Sequence, residues 1–234
     1  MDKPRQVSNR IWNVPNVLSA IRLVMALVVV AAIPSGWLRL GFVLFVIAAA
    51  TDWIDGWWAR RFDQVTQLGR ILDPFCDKMI VCGAYICLAV EMRDFPWYAS
   101  ITGWMAVVVM GREMLVTALR SFIEQAGGDF SAKFVAKVKM LLQCIAIGAA
   151  FVALIARHDS IGSDGLLPEP TEAVPVWILV VLGLASWSAL LTTLWSGAEY
   201  VGAAAKFLRR AAAAANDRST ASTTENERGA TNDV

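Results

Sequence analysis

The chain is 234 residues long, 57% hydrophobic and only 18% charged, a balance that excludes an ordinary soluble domain and fits a polypeptide that crosses a membrane repeatedly. Its 21 basic and 20 acidic residues nearly cancel to a net +1, which says little alone and makes no case for nucleic-acid binding. What matters is where each sign falls along the chain.

Residues 1–10 are polar and basic, and the apolar run behind them continues for a full span with no A-x-A cleavage pattern. This start reads as a first span rather than a removable signal peptide. Six segments approach the ~20 apolar residues needed to cross the hydrocarbon core: 16–36, 38–60, 71–91, 97–123, 136–156 and 174–197. The breaks between them carry turn residues such as Pro34-Ser35-Gly36 and Gly127-Gly128-Asp129. The expectation is an all-α polytopic membrane protein of six transmembrane helices, with both termini on one side.

Lys3, Arg5, Arg10, Arg60, Arg61, Arg70, Arg120, Lys133, Lys137, Lys139, Lys206, Arg209 and Arg210 fall on that side, against Arg39, Arg93 and Arg157 on the other. The positive-inside rule makes the basic side, with both termini, cytoplasmic. Trp12, Trp37, Trp57, Trp58, Trp97 and Trp177 sit near span ends, where indoles gather at headgroup level without any binding role. Residues 211–234 are low in apolar side chains and lack a periodic face, so they read as a disordered cytoplasmic tail behind a catalytic domain of residues 1–210.

Cys76, Cys82, Cys87 and Cys144 lie in apolar stretches without metal-ligand spacing and read as small buried hydrophobes. The one histidine, His158, falls in a loop on the far side from the acidic cluster and is given no role.

That cluster is the strongest feature of the sequence. Asp52 and Asp55 end the second span, and Asp73 and Asp77 begin the third. An ionised carboxylate at a span centre costs at least ~2.5 kcal/mol on insertion scales, so it persists only with a partner or in a wet cavity. Spacings of i, i+3 and i, i+4 put each pair on one face of its helix, and two such faces opposed make a four-carboxylate cage. Carboxylate oxygens suit Mg²⁺ or Mn²⁺, and four can hold two ions about 3.5–4 Å apart. Gly56 and Ala59 share the Asp52 face and permit either close approach of a planar group or close helix packing. Arg60 lies one turn further, as a phosphate clamp or a positive-inside anchor.

Arg112 lies deep in an apolar run beside Glu113, with Arg120 two turns along the same face. A buried arginine wants a carboxylate or a phosphate. An intramembrane Arg112 pairing with Glu113 or an aspartate meets that need, and so does capture of a phosphorylated ligand. Lys133, Lys137 and Lys139 open the next span and would complete a cationic pocket for an anionic acceptor, although topology alone also selects lysines there.

Taken together, Asp52-x2-Asp55-Gly56-x2-Ala59-Arg60-x8-Gly69-x3-Asp73-x3-Asp77 resembles the signature of the CDP-alcohol phosphotransferases at all eight fixed positions. The resemblance implies a six-helix bundle with its site in a polar cavity at the cytoplasmic face of a bacterial inner membrane. It implies two Mg²⁺ (or Mn²⁺) ions on Asp52, Asp55, Asp73 and Asp77, with Asp77 also the general base. It implies CDP contacts at Asn16, Gly56, Ala59, Arg60 and Gly69, and commonly a homodimer.

The stretches Val14 to Arg22, Gly111 to Arg120 and Ala136 to Lys139 are similar to those of the bacterial phosphatidylglycerophosphate synthase branch, although that branch usually carries Ala where this chain has Gly111. The similarity implies CDP-diacylglycerol as donor and glycerol 3-phosphate as acceptor, bound by Arg112, Arg120, Lys133, Lys137 and Lys139. Inositol phosphate, serine or phosphatidylglycerol are the rival acceptors. A carboxylate-lined cation transporter is the rival outside this chemistry, disfavoured because the acids gather at one face and no internal repeat is visible.

Overall fold

The computed structural model describes residues 14–62, 67–125, 134–161 and 167–232, with side chains for these except 14–16, 18, 52–62, 67–74, 77, 124, 125, 134–137 and 210–232. Among the described residues there is no strand. The chain forms α1 (Val14–Ala32), α2 (Leu38–Phe62), α3 (Gln67–Glu91), α4 (Gly103–Gln125), α5 (Phe134–Asp159), the one-turn α6 (Pro170–Ala173) and α7 (Val176–Asn232). Each of the six long helices overlaps one of the six apolar segments. Two stretches, Val138–Asp159 and Val176–Arg209, are long and apolar enough to cross a membrane, and Ser19–Ala32 and Leu38–Thr51 are shorter apolar helices. Away from their ends, helices satisfy backbone donors and acceptors internally, which is what a chain of this composition requires in lipid.

The expected fourth segment, 97–123, is corrected. Trp97–Ala99 is a 3-10 turn, Ser100 is extended (φ −151°, ψ 162°) and α4 starts only at Gly103. Pro96 opens the turn, and Ala99 N–H donates back to its carbonyl at 2.9 Å, consistent with proline interrupting a helical ladder. The polar stretch after Arg157 also contains α6, which the sequence reading left as a break. At the other end, α7 stays helical to Asn232, past residue 197 and through Ala211–Ala215, strong helix formers at the start of the segment read as a tail.

The turn between α1 and α2 is fixed by one glycine. Gly36 has φ +75°, its N–H donates to Ile33 O at 3.2 Å, and the Trp37 N–H donates to Ala32 O at 2.9 Å. These are the paired bonds of a glycine-ended helix that reverses direction at once. Repeated reversals gather the starts of α1, α3 and α5 and the later parts of α2, α4 and α7 at one end, called here the inner end.

α5 is the centre of the bundle, packing on α2, α3 and α7, while α1 lies between α2 and α3 and α4 lies between α3 and α7. Its Ile147, Ala150, Phe151 and Leu154 are buried with Val29 and Ile33 of α1, Phe45 of α2, Ala84 and Leu88 of α3 and Leu182 of α7. The Phe151 ring sits 5.9 Å from that of Phe42 and 6.1 Å from that of Phe45, within the usual range for aromatic pairs. Large apolar side chains such as Val24, Leu27, Val107, Leu184 and Leu191 face outward, a pattern suited to lipid contact rather than to water.

The outer end is fastened by arginines. Arg157 is buried: its Nε donates to Pro168 O at 2.9 Å, both terminal nitrogens reach Asp94 Oδ2 at 3.4 Å, and its Cζ lies 5.6 Å from the Phe95 ring centroid. Arg39 at the start of α2 donates to both carboxylate oxygens of Asp159 at 2.8 Å. The 3-10 turn is held against α7, where a Cβ on Gly183 would stand 2.5 Å from Tyr98 O, a contact only glycine permits.

Gly183→Ala is therefore expected to lower stability by about 1–3 kcal/mol through overpacking. Gly111→Ala, whose Cβ would meet nothing within 4 Å, is expected to hold or raise it by at most about 1 kcal/mol. Thermal unfolding of the two variants in detergent checks the contrast.

Candidate functional site

The signature residues lie on two unbroken helices. α2 carries Asp52, Asp55, Gly56, Ala59 and Arg60, and α3 carries Gly69, Asp73 and Asp77. Because neither helix breaks there, the i, i+3 and i, i+4 spacings put each aspartate pair on one helical face. The side chains of these eight residues, and of Asn16 on α1, lie outside the described residues. The ligand and CDP-contact assignments therefore stay what the family resemblance implies. Among the described residues, no three His, Cys, Asp or Glu side chains group to hold a metal.

The surroundings of this segment are described. Cys76, between Asp73 and Asp77, places its thiol 3.4 Å from Ser19 O, so this part of α3 is seated on α1. One turn along α1 from Ser19, Arg22 is buried at 2% exposure. The sequence reading gave Arg22 no role. Its signal was a lone arginine in an apolar run, the same signal that picked out Arg112.

On α4, α5 and α7 the structure assembles a polar cluster at the inner end. Glu113 Oε1 accepts from Arg112 Nη1 at 3.0 Å and is also paired with Lys139 Nζ. The three side chains are only 9%, 15% and 7% exposed for Arg112, Glu113 and Lys139 respectively. Arg112 Nη2 donates to Ser196 Oγ, and the guanidinium lies over the Tyr200 ring. One turn from Lys139 on α5, Gln143 Nε2 donates to Thr193 Oγ1 at 3.1 Å. Polar groups so line the seam between α5 and α7. The Thr117 hydroxyl returns to Glu113 O at 2.7 Å and costs the cluster nothing.

Of the five acceptor residues read from sequence, the structure thus unites Arg112 and Lys139. Arg120 lies two turns further on α4 and is half-buried. Lys137 is on the first turn of α5 with its side chain outside the described residues, and Lys133 lies outside them altogether. The Arg112–Glu113 pairing weighed from sequence is present. What the sequence did not reveal is that the same carboxylate serves Lys139, because no local spacing links residues on two helices 26 apart. Ser196 and Tyr200 gave no signal either, being a small hydroxyl and an aromatic in an apolar helix.

Two cations sharing one buried carboxylate is a charge-assisted arrangement suited to an anion. Arg112 Nε is buried without a hydrogen-bond partner, an unsatisfied donor that a phosphate oxygen would satisfy. At the outer end, by contrast, His158 lines two cavities of about 310 and 290 Å³ beside Gly36 and Leu38, away from this chemistry. None of the four cysteines is in a disulfide.

Removing the shared carboxylate leaves two buried cations facing each other. Glu113→Ala is expected to destabilise by about 3–5 kcal/mol. Glu113→Gln, which keeps a hydrogen-bond acceptor, is expected to cost less, and denaturation of both purified variants measures the difference.

Residues 12–195 match the family model described as CDP-alcohol phosphatidyltransferase. A relative named CDP-diacylglycerol--glycerol-3-phosphate 3-phosphatidyltransferase, from Bacillus subtilis, is 32% identical over 204 residues, covering 81% of this chain and 93% of its own. Relatives of the same name from Sodalis glossinidius and Salmonella choleraesuis are 32% and 29% identical, covering 82% of this chain and 94% and 95% of theirs. With four aspartates on two continuous helices and a buried cationic cluster at the same end, the chain belongs to the CDP-alcohol phosphatidyltransferase family.

Proposed function

We propose that the protein transfers the phosphatidyl group of CDP-diacylglycerol to sn-glycerol 3-phosphate, giving phosphatidylglycerophosphate and CMP in phospholipid synthesis. The names of the relatives support donor and acceptor. The observation that carries the acceptor is Arg112, buried on Glu113 beside Lys139 with its Nε unsatisfied. Serine, a zwitterion with no phosphate, would offer this cationic cluster only a carboxylate.

In this reading all six long helices span the bacterial inner membrane, with basic ends and both termini cytoplasmic by the positive-inside rule. Residues 1–210 form the catalytic domain, and residues 211–234 a tail outside it. The homodimer that the family resemblance implies is part of the proposal.

The donor set, four aspartates in register on two helices with no neighbouring soft ligand in the signature, suits Mg²⁺ or Mn²⁺. Asp52, Asp55, Asp73 and Asp77 would hold two ions, which when bound neutralise pyrophosphate charge. Asp77 takes the proton of the acceptor hydroxyl as its oxygen bonds to the phosphorus bearing diacylglycerol; the pyrophosphate bridge breaks and CMP leaves with the bridging oxygen. Asn16, Gly56, Ala59, Arg60 and Gly69 bind CDP, the small residues admitting the nucleotide close to the backbone. In this reading Arg112, Arg120, Lys133, Lys137 and Lys139 hold the acceptor phosphate and exclude alcohols that lack one.

CMP release from CDP-diacylglycerol by purified protein, with Mg²⁺ and a panel of alcohols, is expected with glycerol 3-phosphate and to vanish with EDTA or in Asp73→Ala. Turnover with inositol phosphate alone overturns the acceptor, and full activity in Asp73→Ala overturns the metal reading. Arg112→Ala is expected to raise KM for glycerol 3-phosphate roughly ten- to hundredfold, the loss of a charged hydrogen bond. KM for CDP-diacylglycerol should hold, and an equal rise for both substrates assigns the arginine to structure alone.

A further inference from the structure

One turn of α7 grips Arg112. Ser196 Oγ accepts from Nη2 at 2.5 Å, and the Tyr200 ring centroid lies 5.6 Å from Cζ. Between them Gly197 supplies a flat floor: a Cβ there would stand 3.2 Å from Arg112 Cγ and 3.9 Å from Nε. Ser196, Gly197 and Tyr200 are themselves buried. Glu113 meets the guanidinium from Arg112's own helix, as its immediate neighbour, and adjacent helical residues project in different directions. That one bond fixes a nitrogen without fixing the plane. The hydroxyl and the ring, both from a second helix, fix the plane and tilt.

With Nη1 bonded to Glu113 and Nη2 to Ser196, Nε is the guanidinium nitrogen without a partner. We infer that the Ser196–Gly197–Tyr200 turn of α7 is a positioning element that presents Arg112 Nε to the phosphate of the acceptor. The inference rests on the acceptor role proposed above for Arg112. It extends the site to a helix that contributes nothing to the aspartate signature. Ser196 and Gly197 also lie just past residue 195, where the match to the family model ends.

The Ser196 hydroxyl acts through Arg112, so its removal changes how firmly the phosphate is held and not the chemistry at the donor phosphorus. Steady-state kinetics of the full-length protein in detergent, with each substrate varied in turn, separates the cases. Ser196→Ala is expected to raise KM for glycerol 3-phosphate about tenfold, the scale of one hydrogen bond to a charged group. Gly197→Ala should act in the same direction by crowding the arginine stem. For both, KM for CDP-diacylglycerol and kcat stay within about twofold, and Ser196→Thr, which restores a hydroxyl, returns KM toward the parent value. An unchanged acceptor KM in Ser196→Ala and Gly197→Ala, with a raised one in Arg112→Ala, overturns the positioning inference and leaves the acceptor reading intact. An unchanged acceptor KM in Arg112→Ala overturns both. Equal rises for the two substrates, or no rescue by Thr, assign the α7 turn to packing and overturn the inference alone.

Discussion

Glu113 carries a negative charge into an apolar helix, and the polar contacts that tie α4, α5 and α7 together beside it are arranged around its consequences. An unpaired charge in that environment costs several kcal/mol, so it must be met by opposite charge and by hydrogen bonds. Arg112 and Lys139 meet it, and by doing so link α4 to α5. Arg112 in turn needs more than one partner for its five donors, which draws Ser196 and Tyr200 of α7 into the same knot. Three helices are thus held in register at one depth by a requirement of solvation. The apolar core above them, centred on Phe151, supplies packing that tolerates several registers far better than charges do.

The same requirement explains the division between the two ends of the bundle. At the outer end, Arg157 and Arg39 have carboxylate partners, and Arg157 also binds a backbone carbonyl, so those charges are spent on joining loops to helices. At the inner end the cluster keeps one buried donor unmatched. Balanced pairs build scaffold, while the incomplete one is where, in the proposed function, the acceptor phosphate completes the set.

The helices were legible because each is an apolar run of span length bounded by turn residues, and Gly36 marks its turn by chemistry that only glycine performs at positive φ. The start of α4 was not. Trp97 to Ile101 read as the opening of a span because its residues are apolar, whereas Pro96 and the contact with Gly183 keep that stretch out of the helix. The aspartates and Arg112 stood out because their types are costly where they occur. Lys139 was singled out as one of several interchangeable lysines, and its true distinction, a partner on α4, depends on which helix faces which. Ser196 and Tyr200 are ordinary residues for an apolar helix, and only tertiary contact gives them meaning.

The Arg157 fastening makes one side chain the joint of the outer rim. Asp94 and Phe95 after α3 and Pro168 before α6 all meet a single guanidinium on α5, so losing that side chain would release both loops at once.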